Sequence, residues 1–159
     1  MNDTVSLPDP APDSVGARQR WMSVLARAPA EAIEAALTRD GPLPVWTVLR
    51  GPETGLVMVR GRAGGSGPPF NLGEMTVTRC TVRLASGVVG HAYIAGRNER
   101  QAELAAVADA LLQDPALNGA MRDSLIRPLA DAQREQRLTR AEKAAATRVE
   151  FFAMRNMRS

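Results

Sequence analysis

The apolar positions change period along the chain, and that change predicts its elements. From Ser14 the spacing is helical, with Trp21, Val24, Leu25 and Ala28 on one stripe. Pro29 suits the first turn of a second helix, with Ile33, Ala36 and Leu37 as its apolar face, and Gly41-Pro42 stops it. Short strand-like runs follow: 44–49, closed by Arg50-Gly51-Pro52, and 55–60, which is nearly all apolar and so predicts a central strand. After a Gly/Pro-rich loop over 61–69, two arms at 75–84 and 88–94 flank Ala85-Ser86-Gly87 and predict a β-hairpin. A two-residue turn there sets Leu84 against Val89, Val82 against His91 and Cys80 against Tyr93.

In the first hairpin arm the alternation changes parity between Val77 and Cys80, which predicts a bulge near Thr78 or burial on both faces. The register puts Arg79 and Arg83 on one side with Gly90, Ala92 and Ile94, so that small residues leave room for a helix, a partner or an anionic ligand. Asn98 with Gln101 begins a helix carrying Leu104, Val107, Ala108, Leu111 and Leu112 on a core-facing stripe. Asp114-Pro115 begins another, with Leu117, Met121 and Leu125, interrupted or kinked at Pro128. The expected fold class is α+β: an antiparallel, meander-like sheet of about four strands, an N-terminal helical hairpin and C-terminal helices. Residues 1–13, with three prolines and little to bury, read as a disordered tail. Residues 14–159 read as one domain, whose polar helix from about 129 to 159, with a tip rich in Phe and Met, reads as an arm that packs on another chain.

Composition narrows the function. At 159 residues the chain can bury a core without covalent staples. Cys80 is its only cysteine, so neither an internal disulfide nor a cysteine-based zinc site is available. No apolar run reaches the length of a bilayer span and no signal-peptide pattern opens the chain, so a cytoplasmic protein without membrane attachment is expected. Net charge is +3, and of 20 basic residues only Lys143 is lysine. Such arginine bias follows from a GC-rich genome, but the guanidinium fork also favours phosphates and interfaces.

The candidate chemistry is thin. The glycine loop beside Arg60 and Arg62 lacks the Gly-Lys-Ser/Thr and the following helix of a phosphate-binding loop. Cys80 and His91 fall diagonally on one face in the expected register, the spacing of a thiolate–imidazole pair, although a buried cysteine and a lone histidine are ordinarily structural. Glu74, beside Asn71 and Gly73, could orient a cation, accept a proton, or pair with Arg79. None of these is a self-sufficient site. A nucleotide- or RNA-binding module using the basic strands is the alternative, weakened by the lack of aromatic stacking residues on the sheet.

Several motifs together resemble one family. Gly61-Arg62 with its glycine-rich loop, the run Phe70-Asn71-Leu72-Gly73-Glu74-Met75-Thr76-Val77-Thr78-Arg79-Cys80, Gly90-His91-Ala92-Tyr93, and Arg20-Trp21-Met22-Ser23-Val24-Leu25-Ala26 resemble the G subunit of the carbon–phosphorus lyase core complex, PhnG. The likeness runs from about Arg18 to the C-terminus. It implies a role in bacterial phosphonate catabolism under phosphate starvation. There the G subunit is required with the nucleosidase-like I subunit (PhnI) to form α-D-ribose 1-methylphosphonate 5-triphosphate from MgATP and methylphosphonate. It also implies H and J as core partners and K and L in the pathway, no nucleic acid, and no cofactor held by this chain, MgATP being a substrate of the complex. No catalytic residue is carried over. Arg60, Arg62, Arg79, Glu74 and His91 are the candidates for phosphate or interface contacts, and no metal site is expected.

Overall fold

A computed structural model describes residues 15–39, 41–62 and 67–146. The expected N-terminal tail and the Phe/Met-rich tip lie outside them. The order is α1 (Val15–Leu25), α2 (Ala30–Leu37), β1 (Trp46–Gly61), β2 (Phe70–Leu84), β3 (Val89–Ala95), α3 (Glu99–Leu112), α4 (Pro115–Met121), a π-helical turn (Arg122–Ile126) and α5 (Arg127–Ala146). The strands form one antiparallel sheet, β1-β2-β3. The fold class is the expected α+β.

Among the described residues there are three strands rather than about four. Arg50-Gly51-Pro52 does not end a strand; it makes a bulge in β1, whose pairing with β2 jumps between Val48 and Arg50 and again between Arg50 and Glu53. Proline is tolerated here because β1 is an edge strand and the bulge needs no ladder N–H. The parity change seen in sequence has a related source. Val77 and Thr78 are both buried, one on each face of β2, while the pairing of β2 with β3 runs through Thr78 without a break. The Thr78 hydroxyl reaches the Gly96 carbonyl at 2.7 Å, which satisfies its polar atom at zero exposure.

The hairpin register also differs by one residue. The Leu84 N–H donates to the Val88 carbonyl and the Gly87 N–H to the Leu84 carbonyl, so three residues close the turn. Gly87 takes the left-handed conformation at φ 90° that such a loop requires. A one-residue change moves every side chain across the sheet. Thr81 therefore faces His91, Cys80 faces Ala92 and Arg79 faces Tyr93. Cys80 with Ala92 lies on the core face and His91 on the other, so no thiolate–imidazole pair exists. Arg79 and Arg83 are likewise parted from Gly90, Ala92 and Ile94. The space over the small residues is filled by a helix of this chain.

That helix is α3, which is buried nearly all round rather than on one stripe: Leu104, Val107, Ala108 and Leu112 are inaccessible, as are Ala102, Ala106 and Ala110. Small residues let it lie directly on β3 at Gly90, while α1 and α2 pack on its other side through Trp21, Leu25 and Ile33. Each fully buried Leu or Ile is worth about 1.5–3 kcal/mol of transfer free energy. Asn98 caps α3 by accepting the Gln101 N–H at 2.9 Å. The Gln101 side chain does not return the bond as in a capping box; it donates to the Leu25 and Ala26 carbonyls at the end of α1.

The helical C-terminal region breaks where Pro128 requires it, though one turn earlier. A proline has no N–H and its ring displaces the carbonyl four residues back, here Ser124, and the ladder widens into the π turn over Arg122–Ile126. Arg39 donates to the Ser124 carbonyl at 3.3 Å. Beyond Leu129, α5 is largely exposed.

Candidate functional site

The longest hairpin of the molecule extends past the core. Residues 55–61 of β1 pair with 70–77 of β2, and all of 70–75 are exposed. Paired residues share a face, so Leu56 and Met58 lie on one side with Thr76 and Glu74, and Val57 on the other with Met75. A register shift after Val59 brings Leu72 over Gly61; a Cβ on Gly61 would sit 2.5 Å from Leu72 Cδ1. Both faces thus carry apolar side chains: Leu56 is 63% and Met58 53% exposed on one, and Met75 41% on the other. The apolar run at 55–60, expected to mark a central strand, marks a projecting edge strand instead. A soluble surface rarely carries such a patch without an occupant.

The two sheet edges are treated differently. On the outer edge of β3, the Asp109 carboxylate accepts the His91 N–H at 2.9 Å, and Gln113 donates to the Val89 carbonyl at 2.9 Å. These α3 side chains occupy the positions a neighbouring strand would fill. Along the arm, no strand flanks the outer edge of β1 among the described residues.

Asp109 itself is the most highly bonded polar group of the core. Its fully buried carboxylate takes Arg18 in a two-pronged contact (Nε 3.2 Å, Nη2 2.7 Å), the Trp21 indole at 2.9 Å and Gln113 at 3.2 Å, besides His91. This ties α1, β3 and α3 into one unit. Sequence reasoning missed it; the available signal was a lone aspartate within an apolar helix, four residues before a glutamine.

The sheet face away from α3 is open. It carries Arg79, Thr81, Arg83, His91 and Tyr93, with a shallow cavity of about 150 Å³ among Glu53, Gly55, Val57, Val77, Arg79 and Tyr93. Glu53 bridges Arg50 and Arg79, at 3.1 Å to each. The Arg50 hydrogen bond is the largest effect holding its carboxyl below the ordinary value; burial opposes it, and the Arg79 hydrogen bond and the two charges add to the lowering. Cys80, by contrast, has its thiol pushed up, first by burial and then by the Glu103 charge. It is a packing residue, 3.5 Å from the Arg50 carbonyl.

The candidates drawn from sequence do not converge. Arg60, opposite Asn71, and Arg62, just past the end of β1, lie at the far end of the arm. Glu74 is exposed opposite Met58 and has no hydrogen bond or ion pair among the described residues, so it does not pair with Arg79. Arg79 is held by Glu53, and His91 Nδ1 meets the Thr81 hydroxyl at 3.1 Å. From Asn71 to Arg79 is eight residues of strand, roughly 26 Å at about 3.3 Å each. No group of three or more His, Cys, Asp or Glu among the described residues could hold a metal. None of their helices is long and apolar enough to cross a membrane.

Among the described residues the molecule is thus an α+β domain with its polar chemistry spread over a surface and an exposed apolar arm beside it. The chain belongs to the phosphonate metabolism protein PhnG family, whose model matches residues 16–156. It is 44% identical over 154 residues, 97% of each chain, to the alpha-D-ribose 1-methylphosphonate 5-triphosphate synthase subunit PhnG of Rhizobium meliloti (strain 1021).

Proposed function

We propose that this chain is a subunit of a ribose 1-methylphosphonate 5-triphosphate synthase in phosphonate catabolism, and that it works by completing a neighbour. The partner foremost is the I subunit, then H and J, in a cytoplasmic complex that takes MgATP and methylphosphonate as substrates. Support comes from the family membership and the near full-length relative. The observation that carries the mode of action is the arm: a hairpin apolar on both faces and, among the described residues, bare along one edge is stable in water only at a cost that an enclosing partner removes.

The arm enters the partner, and its far end delivers Arg60 and Arg62 toward the triphosphate, where charge-assisted contacts to phosphate are strong. Arg79 and His91, on the open sheet face, serve the interface instead. Co-expression with the I subunit tests this. Leu56→Glu with Met58→Glu leaves the helical core intact but removes the apolar arm face. The pair should fold, by circular dichroism, yet fail to co-purify with I. Undiminished co-purification would contradict the proposal.

A further inference from the structure

We propose that the groove between the α1–α2 turn and α5 is a binding site for a multiply charged phosphate chain. This rests on the groove alone and not on the arm. The groove, about 550 Å³, is lined by Arg27, Gln101, Gln133, Gln136, Arg137 and Arg140 together with small apolar residues of the turn, and no Asp or Glu lines it. Positions 133, 136, 137 and 140 recur at the helical period, so one stripe of α5 presents both amides and both guanidinium groups to the turn.

The negative ends that would repel an anion there are already used. Gln133 donates to the Val24 carbonyl at 2.9 Å, and Gln101 to those of Leu25 and Ala26 at 3.4 and 3.2 Å, so the C-terminal oxygens of α1 are covered by amide donors. Arg27 bonds the Ser23 hydroxyl, a neutral partner that leaves its charge uncompensated. Arg137 and Arg140 have no carboxylate partner among the described residues. Five arginines outside the groove do have a carboxylate partner: Arg18 with Asp109, Arg50 and Arg79 with Glu53, Arg100 with Glu34, Arg127 with Asp123. Three unmatched guanidinium groups around one groove repel one another, and a bound polyanion relieves this. The planar fork grips phosphate oxygens in pairs, and the volume exceeds what a single orthophosphate fills.

The test is calorimetric titration of the full-length chain, in complex with its partners where that is the form isolated, using inorganic tripolyphosphate, orthophosphate and a single-stranded oligonucleotide at low salt. Tripolyphosphate should bind at least tenfold more tightly than orthophosphate. Arg137→Ala with Arg140→Ala should weaken it about a hundredfold, near tenfold for each guanidinium group removed. Arg134→Ala, on the same helix but outside the groove, should change it less than twofold. All three positions are exposed, so folding is not at risk. Equal binding of tripolyphosphate by the double variant, or no preference over orthophosphate, overturns the site. Stronger binding of the oligonucleotide than of tripolyphosphate overturns it too, since the groove would then read a nucleic acid backbone.

Discussion

Gly90 lies directly under the backbone of Ala106: a Cβ placed on Gly90 would stand 2.0 Å from the Ala106 carbonyl oxygen and 2.6 Å from the Ala110 nitrogen. Both neighbours are main-chain atoms of α3, so no side-chain rotation can relieve the clash. Gly90→Ala must push α3 off β3. The expected loss is at or above the upper end of the roughly 1–3 kcal/mol typical of overpacked cores. A urea midpoint equal to wild type would show that α3 is not seated as described.

Asp109 gathers donors from α1, β3 and α3, and its loss should be felt in all three. Asp109→Asn puts an amide among groups that all donate, and leaves Arg18 without its counter-ion. Breaking a buried pair costs about 3–5 kcal/mol, and the low end applies because Arg18 keeps 35% side-chain exposure. Trp21→Phe removes one neutral donor and should cost about 1 kcal/mol. Chemical denaturation that ranks these two variants in the opposite order would contradict the network.

Cys80 should be inert in the folded chain. Burial favours the neutral thiol, so the folded pKa lies above the unfolded one. Its contribution to stability is complete below the unfolded pKa and falls as pH rises from there toward the folded value. Iodoacetamide at pH 8 should label the native chain far more slowly than the urea-unfolded chain. Equal rates would mean that the thiol is reachable.

Arg62→Ala and Arg60→Ala, in the reconstituted synthase, should raise KM for ATP or lower kcat by about tenfold each if the arm end meets the triphosphate. Arg79→Ala should leave turnover near wild type, because Glu53 already holds that guanidinium 3.1 Å away. Unchanged turnover and KM in both arm variants would leave the arm a docking element only.

Much of this architecture was legible in the residues. Trp21, Leu25 and Ile33 mark the faces of α1 and α2, and Asn98 and Asp114 cap the helices that follow them. What escaped depended on distance in sequence or on one residue of turn. Ala85-Ser86-Gly87 reads equally as a two- or a three-residue turn, and only the observed three-residue turn moves His91 away from Cys80. The apolar run of β1 looks the same whether a sheet neighbour or another protein covers it, because periodicity reports burial and not by whom. Asp109 could not be matched to Arg18 from spacing alone, since 91 residues separate them.

The arm decides the account. Hydrogen–deuterium exchange should be measured across residues 55–61 and 70–75 in the chain alone and in complex with the I subunit. The prediction is fast exchange of the outer β1 amides in the free chain and strong protection in the complex, while α3 is protected in both. Arm amides that exchange at the same rate with and without the partner would contradict it.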